Sequence, residues 1–180
     1  RTSYFCWGAL YSRDLIQRVG LWFDTNLQLM EDEAWLTVYL LYVRKICFIP
    51  ESMYYYRQNP NSVTGSGLDR KKWVHAWNKI LESVFYWFAV NDPDGRYRNE
   101  SRRFYRHCQN KLMDSCVRGK LDYATYRDCK VVHSRQVQRL LQRYFPMEYV
   151  LLRYFSPVYF WAYTSMMRIR NILYAIRHRT

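Results

Sequence analysis

The feature that most constrains the fold is an apolar pattern at helical spacing in the second part of the chain. Residues three or four positions apart are apolar there, so one face of a helix can bury them against a core. The first such helix, over about 73–88, ends at the turn sequence Asn-Asp-Pro-Asp-Gly at 91–95. Helical spacing returns over about 97–117, around 137–144 and over the basic segment 149–179, so helix should dominate from residue 67 onward. The apolar positions of the first helix are Trp73, Ala76, Trp77, Ile80, Leu81, Val84 and Phe88.

Two helices are also expected in the first part of the chain. The first runs from Leu15 to Val19 and should end at Gly20, because glycine readily takes the left-handed conformation that closes a helix. The second follows the acidic run 31–33, with apolar residues at three- and four-residue intervals, and should end near Arg44.

Short apolar runs between these helices are typical of strands. They lie at 5–10, 21–24, 46–49 and 53–56. Combined with the helices, they predict a helix-dominated α/β fold. The glycine-rich joint Gly65-Ser66-Gly67 then predicts two domains, residues 1–66 and a helical basic extension over 67–180.

Positive charge is concentrated in the second half. Residues 93–180 hold 18 Lys/Arg and 6 Asp/Glu, a balance of +12, whereas residues 1–92 hold 10 and 9, a balance of +1. Such a basic half favours a polyanionic partner, either an anionic membrane surface or nucleic acid. Nucleic acid is disfavoured because no recognised binding motif is present.

The basic tail, residues 149–179, has no uncharged run long enough to span a membrane. Its longest uncharged run, 154–167, has 14 residues, and a spanning helix needs about 20. Two alternatives stay open. The tail lies in a membrane interface with its arginines facing anionic lipid, or its helices pack on the rest of the protein with a solvated arginine face.

Cysteine and histidine give no metal or disulfide pattern. The five cysteines include no Cys-x-x-Cys pair, and the four histidines form no His-Glu-x-x-His pair. We therefore expect reduced thiols in a cytoplasmic protein. Asp92-Pro93-Asp94 spells an Asp-x-Asp metal motif, but the Pro-Asp-Gly turn explains these residues without a metal.

Four short motifs follow one another in the first third of the chain. Taken together they resemble family 2 glycosyltransferases, enzymes of the GT-A fold, and match the last part of that family's catalytic domain. The motifs are Trp7-x-x-x-Tyr11-Ser12-Arg13-Asp14-Leu15-Ile16, Gly20-Leu21-x-Phe23, Glu31-Asp32 and Tyr56-Arg57-x-x-x-x-Ser62-x-Thr64.

The resemblance implies a role for the acidic pair. In that family the second residue of the pair is the general base of an inverting transfer, so Asp32 would take this role with Glu31 as its supporting neighbour. A carboxylate within hydrogen-bond reach of the acceptor hydroxyl can remove its proton during attack. The alternative is structural, because acidic residues in a first helical turn stabilise the helix dipole by ~0.3–1 kcal/mol each.

The remaining site residues also follow from the resemblance. Arg57 and Ser62 would bind the donor's diphosphate, since a guanidinium can hold phosphate oxygens bidentately. The alternative is a surface arginine and a turn serine. Trp7 and Tyr11 would form an aromatic platform for the acceptor, and core packing is the alternative for Trp7.

The resemblance further implies parts that this sequence does not show. Family members carry a nucleotide-binding half with an Asp-x-Asp metal motif before the acidic pair, and no such half precedes it here. A divalent metal ion, Mg²⁺ or Mn²⁺, is implied with ligands outside this chain, and this chain alone is expected to be inactive.

The implied partners are a nucleotide-sugar donor and a glycan or lipid-linked glycan acceptor. The expected location is cytoplasmic, peripheral on the cytosolic membrane face. The competing interpretation is a non-catalytic interaction module or a basic protein that binds membrane or nucleic acid.

Overall fold

The structure is a computed structural model that describes residues 6–51, 53–57, 59, 62, 69–129, 133–154 and 156–177. The chain divides into two units, residues 1–68 and 69–180. The joint predicted at Gly65-Ser66-Gly67 lies outside the described residues, and the functional assignment of the two predicted domains stays a prediction. The first unit holds α1 (Arg13–Val19) and α2 (Glu31–Tyr42). The second holds α3 (Arg70–Asn91), α4 (Arg98–Arg118), α5 (Tyr123–Asp128), α6 (Arg135–Tyr144), α7 (Pro146–Tyr154) and α8 (Ser156–Arg177).

The predicted α/β class is wrong. The described part of the chain contains helices and no strand, so a strand-containing GT-A portion over 1–66 is not what the structure shows. The segments 21–24, 46–49 and 53–56, which were expected to be strands, lie outside the helices. In the described structure they do not pair with a neighbouring strand. A strand is stable only when a neighbouring strand satisfies its backbone N–H and C=O groups, and an apolar run alone does not supply that neighbour.

The two helices of the first unit begin and end for identifiable reasons. The Ser12 hydroxyl oxygen accepts a hydrogen bond from the Leu15 N–H at 3.3 Å, which caps α1. Gly20 closes the same helix in the left-handed conformation at φ 59°, as predicted. The predicted second helix is also confirmed as α2, although it ends at Tyr42, before Arg44.

The second unit is built around α3 and α4, which pack against each other. The apolar stripe predicted on α3 is confirmed, since Ile80, Val84 and Phe88 are all at most 1% exposed. The helix predicted around 137–144 is confirmed as α6, and its apolar residues are buried against the same core. The short helix α5 was not predicted.

A tight turn joins α3 to α4, as the sequence predicted. The carboxylate of buried Asp92 accepts the N–H of Arg96 at 2.7 Å through Oδ1 and the N–H of Tyr97 at 2.8 Å through Oδ2. Gly95 takes φ 76° within this turn. Both oxygens of Asp92 therefore hold backbone amides at the start of α4.

The last helix packs one face on α4. Phe160, Thr164 and Met167 are buried, and the Tyr163 hydroxyl donates to Asn110 Oδ1 at 2.7 Å. About two turns further along the last helix, Asn171 Nδ2 donates to Asp114 Oδ1 at 3.4 Å. None of the helices that the structure describes is long and apolar enough to cross a membrane.

Candidate functional site

Asp32 is the second residue of α2 and is half-buried. The helix is preceded by Met30, which takes φ 63° and makes no side-chain cap. Asp32 instead accepts the neighbouring Glu33 N–H through its own Oδ1 at 2.8 Å. The Glu33 N–H thus holds one oxygen of the Asp32 carboxylate.

The surroundings of Asp32 shift its proton affinity. Burial raises the pKa of the Asp32 carboxyl, and the negative charges of Glu31 and Glu33 raise it further, against the opposing effect of the Glu33 N–H. A carboxylate with a raised pKa is a stronger base at the pH where it is still ionised. Glu31 therefore acts on Asp32 through its charge, and its supporting role stays a prediction.

Tyr11 lies close to this carboxylate. Burial raises the pKa of the Tyr11 hydroxyl, and the charge of Asp32 contributes to that shift. The pKa of the Cys6 thiol is likewise raised by burial first and then by Asp32. The Tyr11 hydroxyl donates to the Cys6 carbonyl oxygen at 2.9 Å. The structure therefore brings Asp32 and Tyr11, two of the predicted site residues, into one neighbourhood.

An aromatic cluster holds Tyr11 on α2. Its ring meets Trp35 edge-on at 5.0 Å and Tyr39 edge-on at 5.1 Å between centroids. Trp35 in turn stacks on Tyr39 at 5.0 Å and on Phe23 at 5.4 Å. These contacts give Tyr11 a packing role, and its acceptor role stays a prediction.

Trp7 makes a second aromatic contact within the first unit. It is half-buried and stacks on Tyr56 with 5.5 Å between ring centroids and 17° between planes. Arg57 follows Tyr56 directly and is exposed. The predicted acceptor residue Trp7 and the predicted diphosphate residue Arg57 are therefore joined through Tyr56.

Ser62 lies in a turn, as the sequence predicted. Its backbone N–H donates to the Asn59 carbonyl oxygen at 3.0 Å. Neither this hydrogen bond nor the Trp7–Tyr56 stack connects Ser62 or Arg57 with Asp32. The diphosphate-binding role of the two residues stays a prediction, and Thr64 of the same motif lies outside the described residues.

Two residues of this neighbourhood were given no site role from the sequence. The Tyr39 hydroxyl oxygen accepts the Ser12 N–H at 3.0 Å, which ties the start of α1 to α2. Tyr56 supplies the partner ring of Trp7. The spacing of Tyr39 four residues after Trp35 was a readable signal, because such residues share one helix face. The Trp7–Tyr56 pair joins residues 49 positions apart, and no local pattern encodes it.

No ligand set for a metal ion is formed in the part of the chain that the structure describes. No group of three or more His, Cys, Asp or Glu side chains is arranged there to hold one. The divalent metal implied by the resemblance therefore has no site among these residues.

Comparison with known proteins supports a relationship to glycosyltransferases. The chain is similar to the uncharacterized glycosyltransferase EpsJ of Bacillus subtilis (strain 168), with 33% identity over 64 residues. The match covers 36% of this chain and 19% of that protein, so the chain spans about a fifth of its relative. No protein-family model matches the chain, and no solved structure matches it. The similarity specifies neither donor nor acceptor.

Proposed function

We propose that this chain carries the acceptor side and the general base of an inverting glycosyltransferase. The observation that carries the proposal is the state of Asp32, a half-buried carboxylate with a raised pKa and one oxygen held by a backbone amide. The motif resemblance to family 2 glycosyltransferases and the 64-residue similarity to EpsJ support it. The substrates we propose are a nucleotide-sugar donor and a hydroxyl of a glycan or lipid-linked glycan.

The proposed step is a single in-line displacement. The acceptor hydroxyl oxygen forms a bond to the anomeric carbon while the bond from that carbon to the donor's diphosphate oxygen breaks. The nucleoside diphosphate leaves with the bonding electrons, and the hydroxyl proton passes to Asp32. The proton then returns to solvent and restores the carboxylate. Attack opposite the leaving group inverts the anomeric configuration.

The contacts of Asp32 suit it to this step. The Glu33 N–H holds Oδ1 at 2.8 Å, which limits rotation of the carboxylate. Burial and the charge of Glu31 raise its pKa, so the ionised form binds a proton more strongly. The positive end of the α2 dipole favours the ionised form of the carboxylate. Together these contacts provide an oriented base.

The other predicted residues complete the proposed site. Trp7, stacked on Tyr56, offers an aromatic face of the kind that packs against sugar rings. Arg57, exposed beside Tyr56, would bind diphosphate oxygens together with Ser62. A divalent metal ion, when bound, would stabilise charge on the departing diphosphate. Its ligands would lie outside the described residues.

The test is a transfer assay on the natural protein at its full length. UDP-glucose, UDP-N-acetylglucosamine and GDP-mannose are supplied with membranes of the source cells as acceptor, and nucleoside diphosphate release is measured. Asp32→Asn should lower turnover by about 10²–10⁴-fold, the usual contribution of a general base. Asp14→Asn is the matched control, because Asp14 occupies the first turn of α1. Wild-type turnover in Asp32→Asn would exclude the proposed base.

A further inference from the structure

The last helix of the second unit is apolar on two faces. Its inner face packs on α4 and α5, and Phe160, Thr164 and Met167 are buried on this face. A second set of apolar side chains lies on the opposite side and is 52–64% exposed. At about 100° per residue the side chains of this set fall within roughly 140° of one another, on one face of the helix. We call this set the outer face of α8: Val158, Trp161, Met166, Ile169, Ile172, Leu173 and Ile176.

Arginines border the outer face on both sides. At about 100° per residue, Arg168 falls on one border and Arg170 and Arg177 fall on the other. All three are exposed. The helix from Ser156 to Arg177 contains no Asp or Glu. Within this helix, the exposed apolar stripe is therefore bordered by positive charge alone.

The charge of the whole second unit has the same sign. Residues 69–180 hold 22 Lys/Arg and 9 Asp/Glu, a balance of +13, whereas residues 1–68 hold 6 of each. The entire net charge of the protein thus belongs to the unit that carries α8. This field attracts an anionic partner and repels a second copy of the same unit.

We propose that the outer face of α8 binds a membrane surface that contains anionic lipids, with the helix lying in the plane of the interface. The isoleucines and Trp161 would enter the boundary between headgroups and acyl chains, and the bordering arginines would meet lipid phosphates. A second copy fits less well, because pairing two outer faces would bring six arginines together without a carboxylate. Nucleic acid would meet the arginines but leave the isoleucines in water.

The first test uses the unaltered protein with vesicles. Association is measured by flotation with phosphatidylcholine vesicles and with vesicles of phosphatidylcholine and phosphatidylglycerol in a 7:3 ratio. We expect binding to the anionic vesicles to be at least tenfold tighter and to weaken as salt shortens the range of the charges. Equal binding to both vesicles, or binding to neither, would overturn the proposal.

The second test separates the apolar and charged parts of the face. Ile169→Gln/Ile172→Gln should lower the partition coefficient on anionic vesicles at least tenfold, because two side chains no longer gain from leaving water. Val90→Gln/Met147→Gln is the matched control on exposed apolar residues of α3 and α7 and should bind like the parent. Arg168→Gln/Arg170→Gln should lower the partition coefficient about thirtyfold, since each arginine near an anionic surface contributes about 1 kcal/mol.

Two further results would give the outer face of α8 a role other than specific membrane binding. If the control double variant loses as much binding as Ile169→Gln/Ile172→Gln, general surface hydrophobicity explains the association. If the parent chain instead forms dimers that Ile169→Gln/Ile172→Gln dissolves, and vesicle binding is absent, the outer face joins two copies. Circular dichroism of each variant should show the helix content of the parent, because all the altered side chains are exposed.

Discussion

The two units of this protein differ in how they bury large apolar side chains. The second unit buries large side chains such as Phe85, Phe88 and Phe160 between helices. The first unit leaves Trp22, Phe48 and other large apolar side chains exposed, and aromatic rings pack around Trp35 of α2. The second unit is thus specified by its own packed core. The first unit carries the candidate catalytic carboxylate, Asp32.

The largest expected effect comes from removing a core ring of the second unit. Phe85 is fully buried and meets Phe88, Tyr105 and Phe145. Phe85→Ala should lower the free energy of unfolding by about 3–5 kcal/mol, because both burial and packing are lost. Denaturant unfolding followed by circular dichroism measures this change.

To compare the two units, a phenylalanine of the first unit is also replaced by alanine. Phe48 is 79% exposed, so Phe48→Ala should change the free energy of unfolding by no more than about 0.5 kcal/mol. Equal losses in Phe85→Ala and Phe48→Ala would mean that the two units do not differ in this way.

A smaller effect is expected at the turn between α3 and α4. Gly95 has φ 76°, and a Cβ there would lie 2.6 Å from the Tyr144 hydroxyl oxygen. Gly95→Ala should therefore cost about 1–3 kcal/mol from backbone strain, and the crowding adds to it. Gly20 in the first unit also has positive φ but has no atom within 4 Å of the Cβ position. Gly20→Ala should therefore cost less, as thermal unfolding of the two variants can show.

Tyr144→Phe provides the rescue for this turn. Among the described residues the buried Tyr144 hydroxyl has no hydrogen-bond partner, so its removal alone should be close to neutral. Combined with Gly95→Ala it should restore the part of the loss that the crowding causes. Full retention of the loss in the double variant would assign the whole effect to the backbone.

Glu82 is expected to make a pH-dependent contribution to the stability of the second unit. Its Oε2 lies 2.7 Å from His133 Nδ1, and its Oε1 accepts the Ser134 N–H at 3.0 Å. Burial raises the pKa of the Glu82 carboxyl, but the hydrogen bonds from His133 and Ser134 outweigh it and leave the pKa lowered. Ionised Glu82 therefore stabilises the fold above the ordinary glutamate pKa, and this contribution is lost as pH falls through the lowered pKa.

Glu82→Gln measures that contribution directly. At pH 7 the variant should lose about 1.5–3 kcal/mol, the scale of hydrogen bonds to a charged group. The difference between parent and variant should shrink as the pH is lowered below the ordinary glutamate range. A difference that stays constant over pH 3–7 would show that the charge of Glu82 does not matter.

The smallest effect on stability is expected at the candidate base. Because the Asp32 pKa is raised, the folded protein favours the neutral carboxyl, and its ionisation at higher pH disfavours folding. Asp32→Asn keeps an oxygen for the Glu33 N–H and removes that charge. Its melting temperature at pH 7 should equal or exceed that of the parent.

Asp14→Asn is the control for the helix dipole. Asp14 lies exposed in the first turn of α1, so losing its charge should cost about 0.3–1 kcal/mol. If Asp32→Asn is destabilised by more than this control, Asp32 is a structural residue of α2, and the comparison of the two acidic positions fails.

The sequence predicted the second unit better than the first for a physical reason. Helical periodicity is a local pattern that indicates both a helix and its buried face. The apolar stripes predicted for α3 and α6 are therefore confirmed. The strands expected at 21–24 and 46–49 required partners that a local pattern cannot show. The six-residue helix α5 is too short to display a period.

The candidate site was predictable in part. The acidic pair and its place at the start of a helix could be read from residues 31–33 and the apolar spacing after them. The stack of Trp7 on Tyr56 and the raised pKa of Asp32 depend on contacts and burial that only the folded chain provides. The roles of Arg57 and Ser62 stay predictions for the same reason.

The pH dependence of transfer tests the central claim most directly. For the full-length natural protein, turnover should rise with pH through one ionisation that lies above the ordinary aspartate range, because the Asp32 pKa is raised and only its ionised form accepts a proton. In Asp32→Asn this rise and most of the rate should disappear together, while the fold is kept. A variant that retains both the rate and the pH dependence of the parent would contradict the account.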